Sequence, residues 1–192
     1  MIENPKAKSL NMEKLVLVWR EDPVLAAEDI LGVELAPLQR VVLRNMWFHD
    51  NVINVLSRGT GKTFLDGLYA SLQGILYPGN RIGLLGPSFR QSGLIFAEVE
   101  RLYEASPLFQ ESCAKPPSHT PGSCYIKFKS AEGKAGSYIA ALPMGADGAK
   151  IRGERFFRVV ADEAAQMESE ILDIVVRGFM ATHNAPMARV RF

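Results

Sequence analysis

The chain contains few of the residues that bind structural metals or form disulfides. Its 192 residues include two cysteines and three histidines. Cys113 and Cys124 lack the close spacing of a metal motif, and the histidines are scattered along the chain. Nothing in this pattern indicates a histidine-based metal site or a disulfide framework. We expect both cysteines to be free thiols in a reducing compartment.

The chain also lacks long apolar runs and a strong charge of either sign. No apolar stretch reaches membrane-spanning length, and the N-terminus has no apolar segment typical of a signal peptide. A net charge of +1 provides no electrostatic reason to expect a nucleic acid partner, so such a partner has to be argued from other features. With 47% hydrophobic residues, the chain can bury a full core as one globular domain.

One segment has the pattern of a phosphate-binding loop. Residues 56–63 read Leu-Ser-Arg-Gly-Thr-Gly-Lys-Thr. The apolar residues 52–56 that lead into the loop predict a buried parallel strand. After Gly61, apolar residues recur at helical spacing until Pro78 and Gly79, which predicts an amphipathic helix. A strand, a glycine-containing turn and a helix N-terminus in this order form an anion site.

The loop residues have defined roles if the anion is a nucleoside triphosphate. Backbone N–H groups and the positive end of the helix dipole would point at phosphate oxygens. Lys62 would reach the β- and γ-phosphates, and the Thr63 hydroxyl would bind Mg²⁺. The pattern departs from the usual one at its first position, where Leu56 replaces glycine. The alternative is an ordinary strand–helix connection, which would leave the second motif unexplained.

The second motif is an Asp-Glu pair that ends an apolar run. Residues 156–161 predict a strand, and Asp162 and Glu163 follow at its C-terminal tip. In open α/β sheets, ligands bind at that edge. Asp162 would hold the Mg²⁺ shell, and Glu163 would orient and deprotonate the attacking water. The alternative is a solvated helix start at the same two residues.

The rest of the pattern predicts an α/β domain with a helical lead-in. The other predicted elements are a helix after Asp22 closed by Gly32, a helix over residues 37–48, a strand over 81–85, a helix capped by Ser88 and Gln91, a loop over 106–123, and a hairpin of 124–129 with 137–142. The buried face expected for the 37–48 helix consists of Leu38, Val41, Val42 and Met46. We divide the chain into a helical lead-in, residues 1–34, and a P-loop ATPase domain, residues 35–192.

Four further segments accompany the two motifs in a fixed order. They are Leu-Ala-Pro-Leu-Gln at residues 35–39, Ser57-Arg58 ahead of the first loop glycine, Gly-Pro-Ser-Phe-Arg-Gln at residues 86–91, and Arg152-Gly153 ahead of the Asp-Glu strand. This order resembles the ATPase domain of the large terminase subunit, the DNA-packaging motor of tailed bacteriophages and related viruses. The resemblance spans about residues 35–170.

The resemblance implies a fold, cofactors and site residues. The fold is α/β, of the P-loop NTPase type with an additional strand and a catalytic glutamate, and its central, mostly parallel sheet is flanked by helices. The implied cofactors are ATP and Mg²⁺. The implied nucleotide-binding residues are Gln39, Ser57, Arg58, Gly59, Thr60, Gly61, Lys62 and Thr63; the catalytic residues are Glu163, Arg58 and Lys62; and the metal ligands are Thr63 and Asp162.

The resemblance also implies individual roles. Gln39 would recognise adenine through a two-point hydrogen bond, with a solvated helix residue as the alternative. Arg58 would stabilise charge on the γ-phosphate, with a solvent-facing loop arginine as the alternative. Arg152, Arg155 and Arg158 are candidates for an arginine that reaches the ATP of a neighbouring subunit, and a solvated basic stretch is the favoured alternative for each.

The implied function is an ATP-hydrolysing motor that moves double-stranded DNA into a procapsid. The implied partners are double-stranded DNA, a portal protein, a small terminase subunit, and further copies of the chain in a ring, commonly a pentamer. The expected location is the host cell cytoplasm, with transient docking on the procapsid and no membrane association.

Two parts of the terminase family are missing from the sequence. A coupling motif is expected after the catalytic strand, but residues 181–184 read Ala-Thr-His-Asn and no apolar strand leads into them. A nuclease domain with acidic metal ligands is missing as well. We therefore expect an N-terminal piece of a longer protein, without nuclease activity.

Two other functions remain open from the sequence. A superfamily-2-like helicase or translocase shares the glutamine, the loop and the Asp-Glu pair, but it needs a second recA-like domain. A nucleotide-binding assembly module with little turnover belongs to a different class of protein. Glu163 argues against such a module, because a switch does not need that carboxylate.

Overall fold

A seven-stranded sheet organises the part of the chain that the structure describes. The structure is a computed structural model and describes residues 5–120, 122–130, 135–142, 156–167 and 189–191. Its strands are β1 (Asn51–Val52), β2 (Arg81–Leu85), β3 (Ser118–Thr120), β4 (Ser123–Lys127), β5 (Tyr138–Ala141), β6 (Arg158–Ala161) and β7 (Arg189–Arg191). The spatial order is β1-β7-β6-β2-β5-β4-β3, parallel from β1 to β5 and antiparallel from β5 to β3.

The sheet buries apolar side chains on both of its faces. Its helices are α1 (Pro5–Glu21), α2 (Pro23–Leu31), α3 (Pro37–Phe48), α4 (Lys62–Leu76), α5 (Phe89–Ala105) and α6 (Pro107–Ser112), with a short 3₁₀ turn at Ala164–Gln166. In β6, Val160 joins the core that the helices cover, whereas Val159 and Ala161 join a second cluster. Because side chains alternate along a strand, the two clusters lie on opposite faces.

The position of β7 identifies the class of the sheet. It lies between β1, which precedes the phosphate loop, and β6, which carries the Asp-Glu pair. An inserted strand at this place is the additional strand expected for this class of P-loop fold. The predicted fold class, with its mostly parallel sheet, is therefore confirmed. The segment itself, Arg-Val-Arg, has no apolar run, which is why the sequence pattern does not predict a strand after β6.

Helix ends follow the predicted local signals. The Asp22 carboxylate accepts hydrogen bonds from the N–H groups of Val24 and Leu25, and α2 ends at Gly32 with a φ of 65°. Ser88 caps α5 by accepting from the Gln91 N–H. Helix α3 has the bounds predicted for it.

The N-terminal helices pack into the same core as the sheet. The indole N–H of Trp47 in α3 donates to the Arg20 carbonyl at 2.8 Å, and the Arg20 guanidinium donates to the Leu76 carbonyl at the end of α4. Trp19 and Trp47 are both buried in the main cluster. Helix α1 is therefore joined directly to α3 and to α4, the helix that begins at the phosphate loop.

Two predictions about the region before the loop are wrong. The strand predicted over residues 52–56 is limited to Asn51–Val52, and Ile53 and Val55 are 75% and 91% exposed. Val52 pairs with Arg191, the last described residue of β7. Within the described residues, no strand pairs with residues 53–56. The predicted face of α3 is also shifted: Leu38 and Val41 are exposed, and the buried residues are Val42, Leu43, Met46 and Trp47.

The loop predicted over residues 106–123 contains regular structure. Ser106 caps α6 by accepting from the Phe109 N–H, Pro107 occupies the first helical position, and Phe109 is fully buried. Strand β3 then pairs with β4. The polar composition of this stretch does not indicate α6 or β3. In α6, Phe109 is the buried residue that anchors the helix. The predicted antiparallel pairing of the next two strands is confirmed by β4 and β5, and residues 131–134 of the connecting turn lie outside the described residues.

Two helical glycines provide a test of the packing. A Cβ atom at Gly74 in α4 would overlap the Phe128 ring, whereas at Gly93 in α5 it would meet no atom within 4 Å. We expect Gly74→Ala to destabilise the fold by about 1–3 kcal/mol, because overpacking outweighs the helix preference of alanine. Gly93→Ala, the matched control, should stabilise it by about 0.5–1 kcal/mol. Urea denaturation measures both, and equal effects of the two substitutions would contradict the described packing.

Candidate nucleotide-binding and catalytic site

The phosphate loop has the backbone geometry of an anion site. Gly59 and Gly61 have φ values of +80° and +83°, a region that glycine adopts without strain. Helix α4 begins at Lys62, and its first backbone bond runs from the Leu65 N–H to the Gly61 carbonyl at 2.9 Å. The N–H groups of the first turn therefore have no acceptor within the helix and face the loop side.

Two side-chain bonds hold the loop internally. The Thr60 hydroxyl donates to the Ser57 carbonyl at 2.8 Å, and the Lys62 ammonium donates to the Leu56 carbonyl at 2.9 Å. Lysine thus uses a backbone oxygen at the position where the usual motif has glycine. Within the described residues, Glu163 is the one non-glycine residue with positive φ, so Leu56 occupies a backbone conformation that needs no glycine.

Thr63 and Asp162 meet although they are 99 residues apart. The Thr63 hydroxyl donates to Oδ2 of Asp162 at 2.9 Å. Asp162 is held at the end of β6 because its N–H donates to the Leu85 carbonyl of β2 at 3.1 Å. A hydroxyl and a carboxylate are hard oxygen donors, so the pair fits Mg²⁺. Within the described ranges no group of three or more His, Cys, Asp or Glu side chains could hold a metal, so phosphate and water would have to complete the coordination.

Glu163 stands at the edge of the site in an unusual backbone conformation. Its φ is 53°, and its N–H donates to Oδ1 of Asp162 at 2.9 Å. The side-chain amide nitrogen of Gln91 donates to the Glu163 carboxylate at 3.2 Å. The Ser88 hydroxyl donates to the side-chain amide oxygen of Gln91 at 3.1 Å. The exposed carboxylate is therefore oriented by the start of α5.

The local sequence pattern indicates a helix cap at Gln91 but does not indicate its contact with Glu163. The two residues are 72 positions apart, so no local pattern could show the contact. The available signal was the segment 86–91 that follows β2, because β2 and β6 are neighbours. A Cβ at Gly86 would lie 2.8 Å from the Gln91 Cβ, so glycine at that position allows α5 to start close to the strand.

Asp66 is a second site residue that the sequence analysis missed. With Lys62, Asp162 and Glu163, it lines a cavity of about 260 Å³ beside the loop, whose apolar wall includes Val42 and Met46. Burial raises the pKa of the Asp66 carboxyl well above its ordinary value, Asp162 raises it further, and Lys62 lowers it. Its position one helical turn after Lys62 was the signal that could have identified it.

The structure brings most predicted site residues together. Lys62, Thr63, Asp162 and Glu163 line one cleft or touch each other. Ser57, Arg58 and Gly59 lie exposed on the loop, with Thr60 and Gly61 partly covered. Gln39 lies against the loop from α3, where its amide donates to the Thr60 carbonyl at 3.2 Å.

Comparison with known proteins shows which folds this arrangement matches. The ATPase domain of the Thermus phage P74-26 large terminase superposes with a TM-score of 0.65 at 19% identity, covering 85% of this chain and 66% of that one. The large terminase of bacteriophage HK97 superposes with a TM-score of 0.67 at 16% identity, covering 90% of this chain and 36% of that one. The chain has the fold of a large terminase ATPase domain.

The large terminase of a thermophilic bacteriophage also matches, with a TM-score of 0.62 at 15% identity, covering 83% of this chain and 39% of that one. The chain thus spans 66% of the P74-26 domain and less than half of the two terminases. No family model and no curated protein sequence matches the chain. The likeness to terminase ATPase domains is therefore one of fold, and it exists at low sequence identity.

One arginine considered for a role between subunits is buried in this terminase-like fold. Arg158 lies in β6 with 3% of its surface exposed, and its guanidinium donates to the Tyr69 hydroxyl at 2.9 Å. It cannot reach the nucleotide of a neighbouring molecule, nor is it part of a solvated basic stretch. The burial arises from the assembled sheet, which places Arg158 against Tyr69 of α4, 89 residues away in the sequence. Arg152 and Arg155 lie outside the described residues.

Both cysteines are buried free thiols, as expected. Burial raises the pKa of the Cys113 thiol to about 11.

Among the described residues, every helix is too short or too polar to cross a membrane.

Asp66 provides a test of the electrostatics of the terminase-like site. Because the folded protein binds the Asp66 proton more tightly than the unfolded chain does, the stability linked to this proton is present at low pH and is lost as the pH rises through the raised pKa. We expect Asp66→Asn to increase the melting temperature relative to wild type more at about pH 8 than at about pH 4. Thermal melts without Mg²⁺ and nucleotide measure this, and a difference that does not vary with pH would contradict the raised pKa.

Proposed function

We propose that this chain is the ATP-hydrolysing motor domain of a viral large terminase subunit, which powers the translocation of double-stranded DNA into a procapsid. The observation that carries the proposal is the hydrogen bond between Thr63 of the loop and Asp162 of the β6 tip, with Glu163 next to it. The two segments that we propose to form a hydrolytic nucleotide site are therefore in contact.

The loop residues would bind the triphosphate. The N–H groups at the start of α4 and the Lys62 ammonium supply positive charge, and binding requires Lys62 to exchange the Leu56 carbonyl for phosphate oxygens. Ser57, Gly59, Thr60 and Gly61 contribute backbone to the cradle. Arg58, which is exposed on the loop, would stabilise charge on the γ-phosphate.

Thr63 and Asp162 would hold Mg²⁺, whose contribution when bound is to neutralise charge on the phosphate oxygens. Glu163 would accept the proton of the water that attacks the γ-phosphate. Gln91 fixes one carboxylate oxygen of Glu163, which limits the orientations of the base. Catalysis by these residues consists of positioning and charge stabilisation.

The transport role rests on the fold shared with terminase ATPase domains. The proposed partners are double-stranded DNA, a portal protein, a small terminase subunit, and further copies of the chain in a ring. The proposed location is the host cytoplasm, with docking on the procapsid. We assign no nuclease activity to this chain.

Two substitutions separate binding from hydrolysis. Lys62→Ala should weaken ATP binding by about 10–100-fold, because a charge-assisted bond to phosphate is lost. Glu163→Gln should leave ATP affinity unchanged and lower kcat by about 10²–10⁴-fold, because the amide cannot accept the proton. Calorimetry and steady-state phosphate release measure the two quantities. Wild-type turnover in Glu163→Gln would contradict its assignment as the base.

The same assay tests the motor role. The rate of ATP hydrolysis per protein molecule should rise with protein concentration and with added duplex DNA, if neighbouring copies and DNA act on the site. A Glu163-dependent rate that changes with neither would be consistent with an ATPase but would contradict the proposed motor role.

A further inference from the structure

The amide of Gln39 is engaged at both ends by backbone groups. Its oxygen accepts from the Ala36 N–H at 3.1 Å, and its nitrogen donates to the Thr60 carbonyl at 3.2 Å. The first bond caps α3, whose N-cap residue, Ala36, has no polar side chain of its own. The second bond joins that helix to the phosphate loop.

The packing at the loop matches this contact. A Cβ at Gly61 would lie 2.8 Å from the Gln39 nitrogen, so the left-handed glycine leaves the space into which the amide fits. Within the described residues, the other side-chain bonds to the loop carbonyls, from Thr60 to Ser57 and from Lys62 to Leu56, start in the loop or in the helix it leads into. Gln39, in contrast, holds the loop from a different element, α3.

We infer that Gln39 is a positioning residue that braces the phosphate loop, and that it acts on triphosphate binding without selecting the base. This inference rests on the proposed nucleotide site. A loop held in its binding conformation loses less conformational freedom when the ligand binds, so the brace strengthens binding of any triphosphate.

A two-point contact with adenine would use the same amide differently. It requires the oxygen as acceptor and the nitrogen as donor, both directed at the base edge. Here the oxygen is directed at the first turn of α3 and the nitrogen at the loop backbone. Turning the amide towards a base would leave the Ala36 N–H and the Thr60 carbonyl without these partners.

Inorganic tripolyphosphate tests the inference, because it has phosphates but no base. Calorimetry would compare wild type, Gln39→Met and Gln110→Met with ATP, GTP and tripolyphosphate. Gln110 is the matched control, since its amide donates to the carbonyls of Tyr103 and Glu104, outside the site. We expect Gln39→Met to lower the affinity for all three ligands by a similar factor, about fivefold, and Gln110→Met to leave the three affinities unchanged.

Two results would overturn the inference. One is a loss of affinity for ATP in Gln39→Met while GTP and tripolyphosphate bind as before, which would make Gln39 a base reader. The other is unchanged affinity for all three ligands. If Lys62→Ala also binds all three ligands as tightly as wild type, the proposed phosphate-binding loop itself is wrong. This variant therefore distinguishes a failure of the Gln39 inference from a failure of the proposed nucleotide site.

Wild-type protein supplies a second measurement if Gln39→Met does not fold. We expect ATP and GTP to bind within about threefold of each other, since backbone groups already engage the Gln39 amide at both ends. A preference for ATP of about tenfold or more, which lies within the range expected from one bidentate contact to a base, would contradict the inference.

Discussion

The hydrogen bond between Thr63 and Asp162 is the constraint on which the candidate site depends. It joins the first turn of α4 to the tip of β6, and these two elements reach each other only because the sheet places β1 and β6 on either side of β7. Asp162 in turn is held by the Leu85 carbonyl of β2. The proposed metal-binding pair is thus a product of strand order, and any change that shifts β6 relative to β1 separates its two members.

Around this pair, each further residue is held by an element that the sheet already positions. Gln91 contacts Glu163 because α5 starts directly after β2, the neighbour of β6. Gln39 contacts Thr60 because α3 precedes the strand that leads into the loop. Asp66 faces the same cavity because it lies one turn beyond Lys62. Among the described residues, Glu163 is the one non-glycine residue with a positive φ, and its carboxylate would act from that position.

Local signals in the sequence predicted local structure well, and contacts between distant segments poorly. The caps at Asp22 and Ser88 and the bounds of α3 follow from short-range hydrogen bonding. The loop and the Asp-Glu pair were recognisable because each is contiguous. Arg158 was misplaced because burial depends on neighbours such as Tyr69, 89 residues away. The length of β1, the buried face of α3, and the contacts of Gln91 and Asp66 likewise depend on the assembled sheet.

The most direct test of the account is the Mg²⁺ dependence of ATP binding in wild type and in Asp162→Asn. Asparagine keeps the shape of the side chain: its amide oxygen can accept from the Glu163 N–H and its amide nitrogen can donate to the Thr63 hydroxyl oxygen, but the charge that would hold the metal is removed. We predict that Mg²⁺ strengthens ATP binding to wild type by about tenfold or more over binding with chelator, and that the substitution abolishes this gain. An equal gain from Mg²⁺ in both proteins would contradict the claim that Thr63 and Asp162 form the metal site.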